Sequence, residues 1–194
     1  AGKTFYIIDI CIKNAAKMRR LLGEKFSNEV IAELAQEISE CTKENVFFYT
    51  DAFRMILRSK SEVDKHLPHL QHCFSGERTK NNVSVTLMHS FYVLECPEFA
   101  KKIEDIRELD TFLNSQVLPA IQNGQVVTVD KDIIRNYRRS TAIGTLIEDA
   151  LQHDGLEVFY QPIYDVEAGR FDSAEALVRM KNTGELGFVS PEEF

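Results

Sequence analysis

Strand-like apolar runs alternate with amphipathic helical stretches over the first two thirds of the chain, and this order limits the fold more than any other feature. The first run, KTFYIIDICI (3–12), is rich in β-branched and aromatic residues and predicts a buried strand. Two short strands around a turn at 49–51 are predicted within 46–57, and further strands at 83–95 and 124–130. GERTKNN (76–82) is interpreted as a polar turn.

Helical periodicity fills the intervals between these strands. Helices are predicted at 14–22, ending at Gly23, at 27–42, capped by Ser27 or Asn28, at 61–74, capped by Ser61 and kinked at Pro68, and at 102–121. The resulting order, β-α-α-β-β-α-β-α-β, predicts an α/β fold in which helices pack against one sheet.

The last third of the sequence has a different organisation. Residues 130–154 predict one long amphipathic helix, begun by Asp130 and closed by Gly155, that connects two domains. The strands LEVFYQPIYD and RFDSAEALVRM follow, and the short VEAG connection makes them antiparallel neighbours, with Gly169 supplying a positive φ. Alternation places Glu175, Leu177 and Arg179 on one face. Glu175 and Arg179 are about 13 Å apart along the strand, a separation that a ligand can span.

Composition and charge exclude several classes of function. The 194 residues are 44% hydrophobic and 27% charged, which is typical of a globular protein with one large domain or two small ones. The net charge of −7 argues against a broad surface for a nucleic-acid polymer. The four cysteines form no CxxC pair, so no zinc knuckle or thioredoxin motif is present. Without a signal peptide or membrane-length apolar run, we expect a cytoplasmic segment, whose parent protein could be anchored through sequence not present here.

Four short pieces near the end of the sequence resemble the start of an EAL domain, the bacterial phosphodiesterase that hydrolyses cyclic di-GMP. They are YQPI (160–163), a glycine in the following turn, EALVR (175–179) and GFVSPEEF (187–194). One EAL tripeptide is weak evidence, whereas four pieces in family order within 35 residues are a specific match.

The EAL resemblance implies roles for individual residues. Glu175 would be a ligand of Mg²⁺ or Mn²⁺, since hard cations prefer oxygen donors. Arg179 would contact a phosphate of the ligand, and Gln161 would hydrogen-bond the nucleotide. Leu177 belongs to the same substrate-binding strand, and Pro191 to the segment that shapes the pocket. The EAL fold resembles a TIM barrel of about 250 residues. Residues 155–194 would therefore be its beginning, without a complete catalytic set.

The preceding residues resemble a GGDEF domain by their layout. The strand–turn–strand VFFYTDAFRMIL aligns with the GGDEF hairpin of diguanylate cyclases, and the signature stands as Tyr49, Thr50, Asp51, Ala52 and Phe53. Only its third and fifth positions match. The paired glycines are replaced by bulkier residues, and one acid is an alanine. The family's metal-binding position on the first strand is Asp9 or Cys11, and its Arg-x-x-Asp motif is absent at 40–43. Because cyclisation of GTP requires metal-assisted phosphoryl transfer, we expect no cyclase activity.

Simpler interpretations compete at several positions. Asp51 is predicted to be a turn residue rather than a working metal ligand, because aspartate favours turns. His66, His69 and His72 recur every three residues beside Cys73. That step drifts around a helix, so a solvated or partly buried face is preferred to a metal site. Phe47, Phe48, Phe53, Phe91 and Tyr92 are interpreted as core residues of the strands rather than as a base-stacking platform.

The sequence therefore predicts a GGDEF-like domain at 1–129, a connector helix at 130–154 and the first part of an EAL domain at 155–194. The parent protein is expected to hydrolyse cyclic di-GMP to linear pGpG with Mg²⁺ or Mn²⁺, under the control of an inactive regulatory domain. Its expected partners are cyclic di-GMP, GTP at the degenerate domain and a second copy of the chain. The alternative is a receptor for cyclic di-GMP or a nucleotide, or a protein-interaction module, that catalyses no reaction.

Overall fold

The computed structural model describes residues 3–194 and divides the chain into two compact units. The first unit ends at Asp130 and the second runs from Lys131 to Phe194. None of the helices in the described residues has both the length and the apolar character that crossing a bilayer requires.

The first unit contains seven strands and four α-helices. Their bounds are β1 Phe5–Ile12, α1 Ala15–Leu22, α2 Glu24–Thr42, β2 Val46–Tyr49, β3 Ala52–Leu57, α3 Lys60–Cys73, β4 Glu77–Lys80, β5 Val83–Thr86, β6 His89–Cys96, α4 Ile103–Phe112 and β7 Val126–Thr128. A π-helical turn (Leu113–Val117) and a 3-10 turn (Leu118–Ala120) continue α4.

Five of these strands form the central sheet, in the order β2-β3-β1-β6-β7. Only the β6–β7 pair is parallel, and the other neighbours are antiparallel. Alternation along β1 gives the sheet two different faces. Ile8 and Ile10 point into an apolar core built with α1, α2 and α3. Asp9 lies on the opposite face, where the hydroxyl of Tyr92 lies within hydrogen-bonding distance of both Asp9 and Asp110 of α4. The predicted α/β sheet with flanking helices is confirmed.

Several predictions were wrong. Phe47 and Phe48, interpreted as core, are 55% and 42% exposed, because β2 is an edge strand of the sheet. The segment interpreted as a polar turn contains most of a β4–β5 hairpin, a separate two-stranded sheet, and the single strand predicted at 83–95 is broken into β5 and β6. The helix α2 begins three residues before Ser27, whose hydroxyl instead donates to the carbonyl of Gly23. The cap of α3 is Ser59, which accepts a hydrogen bond from the Glu62 amide, rather than Ser61.

The second unit contains one long helix and one hairpin, followed by two short 3-10 turns, Gly184–Leu186 and Pro191–Glu193. The helix α5 spans Lys131–Gln152, and the strands β8 (Leu156–Asp165) and β9 (Arg170–Met180) pair antiparallel. Gly169 has φ +64° in the connecting loop, as predicted. Gly155 follows the helix where a Cβ atom would stand 2.7 Å from the backbone of Ala150, so any other residue would force the helix end and the hairpin apart. A small core joins α5 to the base of the hairpin through Ile143, Met180 and Val189.

Candidate functional site

The GGDEF-like signature lies on the β2–β3 hairpin of the first unit. Tyr49 ends β2, and Ala52 and Phe53 begin β3, so the turn consists of Thr50 and Asp51 alone. Both turn residues have positive φ, +41° and +65°, as two-residue hairpin turns of this kind require. The amide of Ile12 donates to the carbonyl of Asp51 over 2.9 Å, which ties the turn to the end of β1. The predicted turn role of Asp51 agrees with this geometry.

Asp51 has a specific partner that the sequence did not indicate. Arg19, near the end of α1, donates to both carboxylate oxygens, with Nη2 2.6 Å from Oδ2 and Nη1 bonded to Oδ1. This two-point arrangement is the strongest geometry for a guanidinium–carboxylate pair. The hydrogen bonds to Asp51 raise the pKa of Arg19. The carboxylate of Asp51 is therefore neutralised by a cation from another element, α1.

Asp9, one of the two candidates for the first-strand metal position, is the centre of a buried polar network. Its side chain is 1% exposed, and its Oδ2 accepts from the hydroxyls of Tyr49 and Tyr92, each over 2.5 Å, and from Arg54. Arg54 Nη2 also donates to Asp110 of α4 over 2.6 Å. Asp9 Oδ1 has no partner within residues 3–194. Burial raises the pKa of Asp9, against the opposing effect of the Arg54 charge and the three hydrogen-bond donors.

Cys11, the other candidate, follows two residues later on the same strand and is also buried. Burial, strengthened by the charge of Asp9, raises the pKa of its thiol to about 12. Since the thiolate is the form that binds metals, a thiol this weakly acidic is a poor ligand at neutral pH. Within the part of the chain that the structure describes, no three His, Cys, Asp or Glu residues are arranged to hold a metal ion.

The three histidines of α3 do not share one environment. His66 is 2% exposed, whereas His69 and His72 are exposed. Burial lowers the pKa of His66. The partly buried helix face that the three-residue spacing favoured is the arrangement found.

The candidate residues of the second unit lie on one face of the β8–β9 hairpin. The register places Gln161 directly opposite Glu175, Phe159 opposite Leu177 and Glu157 opposite Arg179. Directly opposed residues of an antiparallel pair share a face. Glu175 and Gln161 are exposed, and Leu177 and Arg179 are half-buried. The face thus offers a carboxylate and a carboxamide at one level and a guanidinium farther along.

Pro191 begins a short 3-10 turn, Pro191–Glu193, that is fixed to α5. The anchor is Arg139, which donates to the carbonyls of Leu186 and Phe188 and to the carboxylate of Glu193, each bond from 2.7 to 3.3 Å. These bonds position the whole segment around Pro191. Sequence reasoning missed Arg139, because a lone arginine on an amphipathic helix carries no mark of its partner.

Arg54 was also missed, although the sequence contained a signal for it. Both YIIDICI and AFRMIL are apolar strands with one charge near the middle, an acid in the first and a base in the second. Charges in buried strands are almost always paired, so the two could have been matched. The sheet places Asp9 and Arg54 directly opposite each other.

No protein-family model matches the sequence, and no curated protein matches it. Solved structures do resemble it. An EAL/GGDEF domain protein from M. capsulatus aligns with a TM-score of 0.55 and 12% identity, over 66% of this chain and 86% of that chain. The GGDEF domain of YfiN, or TpbB, from Pseudomonas aeruginosa gives 0.54 and 14%, over 66% and 83%.

A third structure, the active GGEEF domain of a diguanylate cyclase from Vibrio cholerae, gives a TM-score of 0.52 and 15% identity, over 66% of this chain and 85% of that chain. At these identities the likeness concerns the fold. The central sheet of this chain and its flanking helices have the fold of GGDEF domains.

Proposed function

We propose that this chain belongs to a bacterial cyclic di-GMP signalling protein. Its first unit is a GGDEF-like regulatory domain that does not synthesise cyclic di-GMP, and its second unit begins an EAL phosphodiesterase domain. The fold of the first unit and the four EAL pieces in the sequence support this proposal together.

One observation supports the absence of cyclase activity. An arginine binds each of the two carboxylates that could serve as metal ligands, Asp51 and Asp9. Arg19 binds both oxygens of Asp51, and Arg54 binds Asp9. A catalytic metal ion needs carboxylate oxygens that are free to bind it. At the next signature position, Ala52 supplies no oxygen and is itself buried.

The test is to incubate the 194-residue protein with GTP and Mg²⁺ or Mn²⁺ and to separate the products. We expect no cyclic di-GMP, and its formation would overturn the proposal for the first unit. Binding of GTP, measured by calorimetry in the same buffers, separates a nucleotide-binding regulatory domain from one that acts only through protein contacts.

The hairpin of the second unit supports the EAL assignment by its register. Glu175 and Gln161 present two oxygen donors side by side, and Arg179 lies on the same face. Oxygen donors suit Mg²⁺ or Mn²⁺, so Glu175 would hold the ion as one ligand of a larger set. When bound, the metal activates water for hydrolysis of the phosphodiester. Arg179 would orient the phosphate, and Gln161 would orient the nucleotide. With one carboxylate at this position, the chain by itself is not expected to hydrolyse cyclic di-GMP.

The second candidate is a receptor that binds cyclic di-GMP without cleaving it. Intact EALVR favours the enzyme. The deciding experiment uses the longer protein with a complete EAL domain, assayed for pGpG beside its Glu175→Gln and Glu157→Gln variants. Hydrolysis that is lost in Glu175→Gln and kept in Glu157→Gln supports the enzyme. Binding of cyclic di-GMP without pGpG supports the receptor.

A further inference from the structure

A large pocket lies in the first unit, on the sheet face that carries the Asp9 network. It is lined by residues of β1, β2, β3 and α4 and of the turns that flank this helix, and its volume is about 1200 Å³. Ordinary small-molecule sites measure roughly 300–1,000 Å³. We call it the α4 pocket. Tyr49, Thr50 and Ala52 of the signature hairpin line it, so it adjoins the signature turn, although the paired side chains of Arg19 and Asp51 do not line it.

The walls of the α4 pocket are apolar and open to solvent. Phe47 of β2, Ile56 of β3 and Ile103 of α4 line it and are 55%, 52% and 59% exposed. Ile7 and Ile106 continue the same surface. Scattered exposed apolar residues are ordinary, but several that face one concavity are characteristic of a binding site.

The charges of the α4 pocket are strongly one-sided. Lys101, Lys102 and Arg107 line it, and the structure gives no salt bridge for them within residues 3–194. Asp105, outside the lining, accepts hydrogen bonds from the backbone amides of Lys101 and Lys102 and interacts with their charges. The acid among its lining residues, Asp110, is already bound by Arg54 and Tyr92. The chain as a whole carries a net charge of −7. Three cations beside an apolar pocket on an acidic protein favour a negative ligand.

The floor of the pocket is rigid as well as polar. Nη2 of Arg54 lies within hydrogen-bonding distance of Asp9, Tyr49, Tyr92 and Asp110, and its guanidinium carbon lies 4.7 Å from the centre of the Tyr49 ring. Such a network fixes β1, β2, β3, β6 and α4 relative to one another. The concavity is therefore preformed, which lowers the entropic cost of binding.

From this geometry we propose that the α4 pocket binds a small organic anion with an apolar body, an aromatic or aliphatic carboxylate, sulfonate or phosphate. The body lies against Phe47, Ile56 and Ile103, and the anionic group faces Lys101, Lys102 and Arg107. The site borders the GGDEF-like signature, since Tyr49, Thr50 and Ala52 line it, and it uses no residue of the EAL hairpin.

The experiment uses the whole chain and two dyes that share one aromatic body and differ by a sulfonate group. The probe is 8-anilinonaphthalene-1-sulfonate, and its comparison is the uncharged N-phenyl-1-naphthylamine. Fluorescence titration gives each affinity, and amide NMR shifts locate the bound probe. We expect the sulfonate to bind about tenfold more tightly than the neutral dye and its shifts to map to β2, β3 and α4. Equal affinities, shifts confined to β8 and β9, or no binding up to about 1 mM would each overturn the proposal.

Matched variants separate the pocket from general charge and hydrophobicity. The triple variant Lys101→Gln, Lys102→Gln, Arg107→Gln should weaken sulfonate binding about tenfold. Lys17→Gln, Arg20→Gln, Lys25→Gln makes the same change of charge at exposed sites outside the pocket and should have little effect.

Ile56→Ser with Ile103→Ser should weaken the binding of both dyes, whereas Leu21→Ser with Leu151→Ser should not. Thermal melts establish that each variant is folded. A folded pocket variant that binds like its control would refute the site.

Discussion

Asp9 on β1 and Arg54 on β3 stand directly opposite each other in the sheet, and their side chains meet as a buried ion pair. The pair is not isolated, because Arg54 also holds Asp110 of α4. One guanidinium thus compensates two carboxylates that have little access to water.

Removing that guanidinium should be strongly destabilising. We expect Arg54→Met to lower the free energy of unfolding by about 3–5 kcal/mol, since it leaves buried charge unpaired. Urea denaturation monitored by circular dichroism measures the change. Replacing the acid as well, in Asp9→Asn with Arg54→Met, should recover part of the loss. A loss below about 1 kcal/mol in Arg54→Met would show that the network does not stabilise the fold.

The Arg19–Asp51 pair should contribute less, because both side chains are partly exposed, 27% and 30%. A double-mutant cycle with Arg19→Gln and Asp51→Asn should give a coupling energy of about 1 kcal/mol. Arg20→Gln, at the exposed neighbouring position, serves as the control and should show no coupling to Asp51→Asn. Equal coupling energies for Arg19 and Arg20 would contradict the specific pairing.

His66 should make the stability fall in mildly acidic solution. Burial is the main cause that lowers its pKa in the folded protein, so below the ordinary value of about 6.5 the unfolded chain binds a proton that the folded chain resists. We expect the urea midpoint to decrease from about pH 7.5 to pH 5.5, and to decrease less in His66→Leu. In His69→Gln, a change at an exposed position of the same helix, the urea midpoint should decrease with pH as much as in the wild type. If the midpoint of His66→Leu decreases as much too, another group is responsible.

Cys41 and Cys73 connect α2 and α3 through thiols whose sulfur atoms are 3.5 Å apart. Diamide, which takes two electrons and two protons from a pair of thiols, should join them in an intramolecular disulfide. Burial and the contact with Cys41 raise the pKa of Cys73 to about 12, so the reaction should be faster at higher pH. Mass spectrometry and thiol counting follow the product.

The disulfide should raise the free energy of unfolding by about 3–4 kcal/mol, as expected for a loop of this length. Cys41→Ser provides the control and should neither cross-link internally nor gain stability. Oxidation that yields only linked dimers would rule out the pairing.

Local patterns in the sequence were sufficient for β1, the β2–β3 turn and the β8–β9 hairpin. Each is a run of apolar or alternating residues that ends at a short turn, so neighbouring residues determine it. The β4–β5 hairpin was missed because its first strand, Glu77–Lys80, is a polar run without the apolar alternation of a half-buried strand.

Pairings between distant residues were beyond the reach of those patterns. Arg19 and Asp51 are 32 positions apart, and Arg54 and Asp110 are 56 apart. Arg19, Asp51 and Asp110 look like ordinary charged residues until the helices are packed against the sheet, and the apolar strand around Arg54 indicates a partner without saying which. The shared face of Glu175, Leu177 and Arg179 could be predicted from alternation along one strand, whereas the roles of these residues rest on the EAL resemblance.

The arginines that bind Asp51 and Asp9 also bear on whether a metal site could be engineered at this turn. A single change that introduced an acid at position 52 would place it at a buried site and beside a carboxylate that Arg19 already binds. Freeing Asp9 as well would require loss of Arg54, which by itself is costly. No one substitution would therefore be favourable alone, because the effects of residues that are distant in the chain depend on one another.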